Sequence, residues 1–185
     1  MHTYDDEIYT YLTQPENYRS AKQIASQLGA VDERLIIDFW QALKVELEQQ
    51  LSSTGFEVEL ITGELFSVHQ SAWNGMGLGC DFLNTEPDMG IHCDPDEFDR
   101  AKVDVLLDAA KVRQKENMSK RSDPWPCYRH LTEYDFRQQQ TLERILPGRR
   151  EESIKNMAAL FTDFIDKYGD LLNRINKEAR IDLTA

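Results

Sequence analysis

Apolar positions in this chain repeat at two spacings, and the change from one to the other divides it. Leu35, Ile36, Phe39, Trp40, Leu43, Leu47 and Leu51 recur every three or four residues, which predicts an amphipathic helix starting near Val31. Upstream, Tyr4 to Thr13 carries Ile8, Tyr9, Tyr11 and Leu12 and stops before Pro15, the pattern of a short first helix. Ser20 is placed to cap a second helix with Ala21, Ile24, Ala25 and Leu28 on its inner face, and Gly29 supplies a residue able to end it. After Ser52-Ser53-Thr54-Gly55 the period becomes two. Phe56-Glu-Val-Glu-Leu60 alternates apolar with acidic, Thr62-Gly63 is a turn dipeptide, and Leu65 to Gln70 returns, so residues 56–70 read as a hairpin. It serves either as a wing of the helical unit or as the start of a sheet.

The helical period resumes after residue 94. Asp94 as N-cap and Pro95 as first helical residue predict a helix that buries Phe98, Ala101, Val105, Leu106, Ala109 and Val112. Gln114 to Asp123 has no period and reads as a mobile connector. Pro124 and Pro126 hold Trp125 as a core plug, and Cys127 to Leu131 reads as a strand. Tyr134 to Leu146 predicts a helix stopped by Pro147-Gly148. The last helix, Arg149 to Arg180, carries the most regular stripe: Ile154, Phe161, Tyr168 and Ile175 seven apart, Met157, Phe164 and Leu171 between them, and Ala158, Ile165 and Leu172 beside them. A stripe so broad is suited to covering a sheet, with homodimerisation as a second use. Together these elements predict an α+β protein with a helix-turn-helix-like unit over residues 1–52 and an α+β domain over 53–185.

Composition narrows the function classes. The chain of 185 residues has 33 acids against 21 Lys plus Arg, a net charge of −12. Residues 1–110 contain 21 of those acids and six bases, so any surface that neutralises phosphates has to lie beyond them. The candidate bases there are Lys111, Arg113, Lys115, Lys120, Arg121, Arg149 and Arg150. No apolar run is long enough to span a bilayer, and the first residues lack the basic and apolar regions of a signal peptide. The three cysteines, Cys80, Cys93 and Cys127, form no even framework, so a cytoplasmic location is expected.

Two resemblances bear on fold and activity. The segment from Ser20 to Leu35, with small Ala25 at a helix crossing, Gly29 in the turn and Leu35 on the buried side, resembles the helix-turn-helix of winged-helix domains. That resemblance implies a DNA-associated transcriptional regulator, but the groove-facing part of the second helix reads Val31-Asp32-Glu33-Arg34, with Asp38 a turn later, and its carboxylates oppose phosphate contact. Residues 123–180, from Trp125-Pro-Cys-Tyr-Arg129 through two helices, are similar to the C-terminal part of PD-(D/E)XK nuclease-like families of bacteria and phages. The similarity implies a metal-dependent nuclease. The expected strand gives Glu57-Val-Glu59 without the Lys such chemistry needs, so a degenerate nuclease is what it implies here.

Other motifs are incomplete. Asn74-Gly-Met-Gly-Leu-Gly79 lacks the Lys and following helix of a phosphate cradle and suits a bulged or tightly turned sheet segment. The acids from Asp94 to Asp99 place Asp99 where a calcium loop needs Gly. Cys80, His92, Cys93, Cys127 and His130 supply zinc-ligand chemistry without a Cys-x-x-Cys knuckle. His92 and Cys93 are strand neighbours that point to opposite faces, so they are no ready-made base and nucleophile. No catalytic residue, metal or cofactor is expected. The reading is a non-catalytic acidic protein, an inhibitor or adaptor of the immunity or anti-defence type, that occupies a basic surface of a nucleic-acid-handling partner. Its candidate contacts are Glu57, Glu59, Asp81, Glu86, Asp88, Asp96 and Asp99.

Overall fold

The computed structural model describes residues 4–181. They form two compact units, residues up to Leu35 and residues from Ile36 onward. This division comes earlier than the boundary at residue 52 read from the sequence, because the apolar positions from Ile36 to Leu51 are core of the larger unit.

The smaller unit contains α1 (Tyr4–Leu12) and the first part of α2 (Pro15–Leu51). The break expected at Gly29 is not there. Gly29 lies inside α2, so continuous helix replaces the two-helix turn on which the winged-helix resemblance rests. The physical reason is a helical period that runs unbroken from Ala21 through Leu28 to Leu35. An interior Gly costs a helix only about 1 kcal/mol relative to Ala. Nor does Ser20 cap a helix; its hydroxyl donates to the Glu16 carbonyl (3.0 Å), one turn back. Pro15 opens the helix in the first turn, where its missing N–H costs nothing.

The larger unit is built on one sheet whose strands follow in chain order: β1 (Phe56–Ile61), β2 (Leu65–Gln70), β3 (Met76–Asp81), β4 (Asp88–Cys93) and β5 (Cys127–His130). All neighbours are antiparallel. The expected hairpin is present, turned at Thr62-Gly63 with Gly63 at φ +80°, and it opens this sheet rather than forming a wing. One side of the sheet is apolar: Val58, Phe66, Val68, Leu78, Cys80, Met89 and Ile91 are buried there. The second half of α2 and α6 (Glu151–Glu178) cover it. Phe66 stands between the two helices, 5.3 Å from Trp40 and 5.3 Å from Phe161 between ring centroids. Trp40 also donates its indole N–H to the Leu83 carbonyl (2.9 Å). All ten stripe residues of α6 are buried within the unit.

Two helices differ from expectation. α3 (Arg100–Ala110) starts five residues later than predicted, capped by Asp99, whose carboxylate accepts from the amides of Ala101 (3.0 Å) and Lys102 (3.3 Å). Asp94 instead accepts from the amide of Asp96 (2.9 Å) and holds a turn. The helix buries Val103, Leu106 and Leu107, the face toward α6, and leaves Ala101, Val105 and Ala109 exposed. Phe98 is buried ahead of it in a bridge to Arg180. The helix expected over 134–146 shrinks to a 3₁₀ turn, Thr132–Tyr134, and α5 (Gln139–Arg144), after α4 (Val112–Lys115). The Asp135 carboxylate takes the Arg137 amide (3.1 Å), a local bond that competes with helix. The connector before β5 is tied down by a bridge between Lys120 and Tyr128. Among the described residues no helix is long and apolar enough to cross a membrane.

Candidate functional site: the polar face of the sheet

Because strand side chains alternate, burying one face places a second set of residues together on the other. Here that set is Glu57, Glu59 and Ile61 of β1, Leu65, Ser67 and His69 of β2, Gly77, Gly79 and Asp81 of β3, Asp88, Gly90 and His92 of β4, and Tyr128 and His130 of β5. Three of the chain's four histidines lie on it.

The middle of this face is a floor of glycine. Gly79 pairs with Gly90, and Gly77 lies beside His92. A Cβ on Gly79 would stand 2.6 Å from the Phe66 carbonyl oxygen, and one on Gly90 would collide with the Cys127 carbonyl and the Tyr128 side chain. Adjacent strands therefore approach more closely than any side chain permits. Trp125 lies over this floor, buried, 3.5 Å from the position a Gly79 Cβ would take and edge-on to His92 at 5.5 Å. The plug role expected of Trp125 is its role here. Arg100 fixes the approach, donating to the carbonyls of Ser122 (2.9 Å), Asp123 (3.0 Å) and Trp125 (3.4 Å).

At one end of the face is an open cleft of about 420 Å³ lined by Glu57, Glu59, Ser67, His69, Trp73 and His92, among others. Glu57 and His69 are register partners, with Oε2 and Nε2 3.9 Å apart. Burial lowers the His92 pKa below 6.5, against the pull of Asp94 and Asp81, so this imidazole is neutral at pH 7. Trp73 closes the base of the cleft and donates its indole N–H to Asn173 (2.9 Å). At the other end Asp81 pairs with Asp88, and Asp88 with His130. His130 bonds Asp88 through Nδ1 and Lys120 through Nε2. Burial raises the Asp88 pKa despite that bond.

The seven candidate acids do not form one patch. Glu57 and Glu59 stand side by side, exposed, on β1. Asp81 accepts from the Phe82 amide (2.6 Å), Glu86 pairs with Arg137 (2.8 Å), Asp88 is buried against His130, and Asp99 is spent on the cap of α3. Asp96 is exposed in the loop before α3, apart from the cleft acids. The seven candidate bases are likewise scattered. Arg113 is held by Asp104 and Asp108, Arg121 lies 3.6 Å from Asp104, Lys120 serves His130, and Arg150 donates to the Asp38 carbonyl (3.4 Å). Lys111 and Lys115 are exposed at the two ends of α4, and Arg149 is exposed ahead of α6.

The candidate zinc ligands are split by the sheet itself. Cys80, Cys93 and Cys127 are free, buried thiols on the helix-covered side, while His92 and His130 are on the polar side. Among the described residues no three His, Cys, Asp or Glu side chains group to hold a metal ion. Burial pushes the Cys93 thiol up to about 12 and the Cys127 thiol up to about 11, which leaves neither as a ready nucleophile.

No family model matches this chain, and neither a curated protein nor a solved structure matches it. The site therefore rests on its own geometry. Sequence reasoning missed Ser67, His69 and Trp73 as cleft residues and Gly77, Gly79 and Gly90 as the floor of the face beside the cleft. The signal was present in the matching alternation of Glu57-x-Glu59, Ser67-x-His69 and Gly77-x-Gly79.

Proposed function

We propose that this protein acts by binding, and that it takes a basic segment of a protein partner along β1 and into the cleft beside it. One observation carries the reading: Glu57 and Glu59 alternate on a strand at the end of the sheet order, exposed, on the face that the helices leave uncovered. An edge strand presents unpaired backbone N–H and C=O groups, which a partner strand can pair with by simple addition. The two carboxylates then select Lys or Arg at alternate positions of the added segment and repel an acidic one. The partner class follows from that selection: a protein with a cationic surface, as nucleic-acid-handling proteins have. An inhibitor or adaptor of the immunity or anti-defence type fits this mode. The DNA-regulator alternative draws less support, since Arg113, Lys120 and Arg121 are already engaged with protein groups.

The test compares the unaltered chain with a Glu57→Lys/Glu59→Lys variant as bait in nuclease-treated bacterial lysate. The expected result is one stoichiometric basic protein retained by the unaltered chain and lost by the variant. Equal capture by both baits, or capture that disappears with nuclease, sinks the proposal. Both side chains are exposed on an edge, so the variant keeps the thermal unfolding of the parent.

A further inference from the structure

We infer that residues 17–35 of α2 form the seam of an antiparallel homodimer. Asn17, Ala21, Ile24, Leu28, Val31 and Leu35 follow one another at intervals of four, three, four, three and four, the spacing that keeps a seam facing a partner helix in a left-handed coiled coil. The middle of this seam is open, with Ile24 63% exposed, Leu28 53% and Val31 50%, while Asn17, Ala21 and Leu35 toward its ends are half-buried. Tyr18 beside it, and Ile8 and Tyr11 of α1, are exposed as well. Monomeric proteins rarely expose a long contiguous apolar stripe. The spacing identifies the occupant as a helix, since a strand or loop has no reason to match it.

The choice of a second copy follows from how the seam meets itself. Turned antiparallel about a point between Ile24 and Leu28, each layer joins unlike positions: Ile24 with Leu28, Ala21 with Val31, Asn17 with Leu35. Small then meets large in the outer layers and two large residues meet at the centre, which fills the interface evenly. Turned parallel, Ala21 would face Ala21 and Asn17 would face Asn17, leaving one end of the seam thin. The flanking positions agree with the antiparallel pairing. Tyr18 comes opposite Asp32, Ser20 opposite Arg34, and Ala25 and Gln27 opposite themselves, so no like charges meet. This inference does not depend on the β1 proposal, and it concerns different residues.

The test is the mass of the full chain in solution by sedimentation equilibrium, together with the Ile24→Glu/Leu28→Glu variant. The expected result is a dimer whose dissociation constant rises at least ~100-fold in the variant, because each altered site occurs twice in the interface. Both residues are exposed in the single copy, so the melting of the sheet-containing unit stays unchanged and reports that the variant is folded. Orientation is read separately by oxidising an equal mixture of Ile24→Cys and Leu28→Cys chains. The antiparallel seam gives the mixed 24–28 disulfide, and the three native thiols, all buried, do not compete. A monomeric full chain, a dimer indifferent to the double variant, or disulfides only between identical positions would each overturn the inference.

Discussion

Gly79 and Gly90 are register partners across β3 and β4, and neither position has room for a side chain. The close approach of the strands there brings Trp125 down onto the sheet and separates the cleft at Glu57 and His69 from the Asp88–His130 pair. Gly90→Ala should destabilise the protein by about 2–4 kcal/mol, because its methyl group would meet backbone, which cannot rotate away. Gly79→Ala should cost somewhat less. Urea unfolding monitored by tryptophan fluorescence measures both, and a Gly90→Ala variant as stable as the parent would show that the strands have slack.

Gly29 gives the opposite expectation. It sits inside α2 with no atom within 4 Å of a would-be Cβ. Gly29→Ala should therefore stabilise the helix by roughly 0.5–1 kcal/mol. Gly63→Ala, at φ +80°, should destabilise by a similar amount. Far-UV circular dichroism during thermal unfolding separates the two. Loss of helicity in Gly29→Ala would restore the turn that the sequence suggests.

His92 and Asp135 contribute to the response to acid in different windows. Burial depresses the His92 pKa, so the unfolded chain gains a proton near pH 6.5 before the folded one does, and stability falls as pH drops below that value. His92→Gln should flatten this decline. Asp135 is held down to about 2, chiefly by its hydrogen bond from Arg137, against 3.8 in an unfolded chain. Its contribution is present above pH 3.8 and is lost as pH falls from there toward 2, so Asp135→Asn should flatten only the lower window. Denaturation midpoints taken across pH 2–7 on both variants give the comparison.

The three thiols should be silent in the native state. With Cys80, Cys93 and Cys127 buried and their ionisation suppressed, a disulfide reagent at pH 8 should titrate none of them quickly in buffer and all three in denaturant. One fast thiol in buffer would mean that the helix-covered face opens locally.

How far these features are legible in the sequence depends on the number of partners that decide each one. The stripe of α6 is decided by its own unbroken period, and all ten residues read from spacing are buried against the sheet and α3. The 56–70 hairpin needs only its own turn. By contrast, the start of α3 depends on a competition between two aspartates, and Asp99 prevails because the chain from Asp94 to Phe98 is engaged elsewhere. Phe98 bridges to Arg180 and the Asp94 amide bonds to the Gly75 carbonyl (2.7 Å). Neither partner is near in sequence. The cleft was hidden for the same reason: Glu57 and Glu59 are conspicuous by their alternation, but His69 and His92 join them only through a register that spans four strands. The candidate list built on charge alone mixed acids open to solvent with acids already used as a cap, a turn or an ion pair.

The order of strands also constrains how the chain acquires its structure during synthesis. Three pairings close across short turns, but β4 must wait for β5 across residues 94–126. Until Cys127 to His130 arrive, β4 is an open edge, and until residues 151–178 arrive, Phe66 and its neighbours lack the helix that covers them. A nascent chain that has completed the four-strand meander thus carries an apolar face covered by α2 alone and a free edge together, the combination that invites misassociation. Pausing before residue 150 is costly to this protein, and its productive folding depends on α6 arriving promptly.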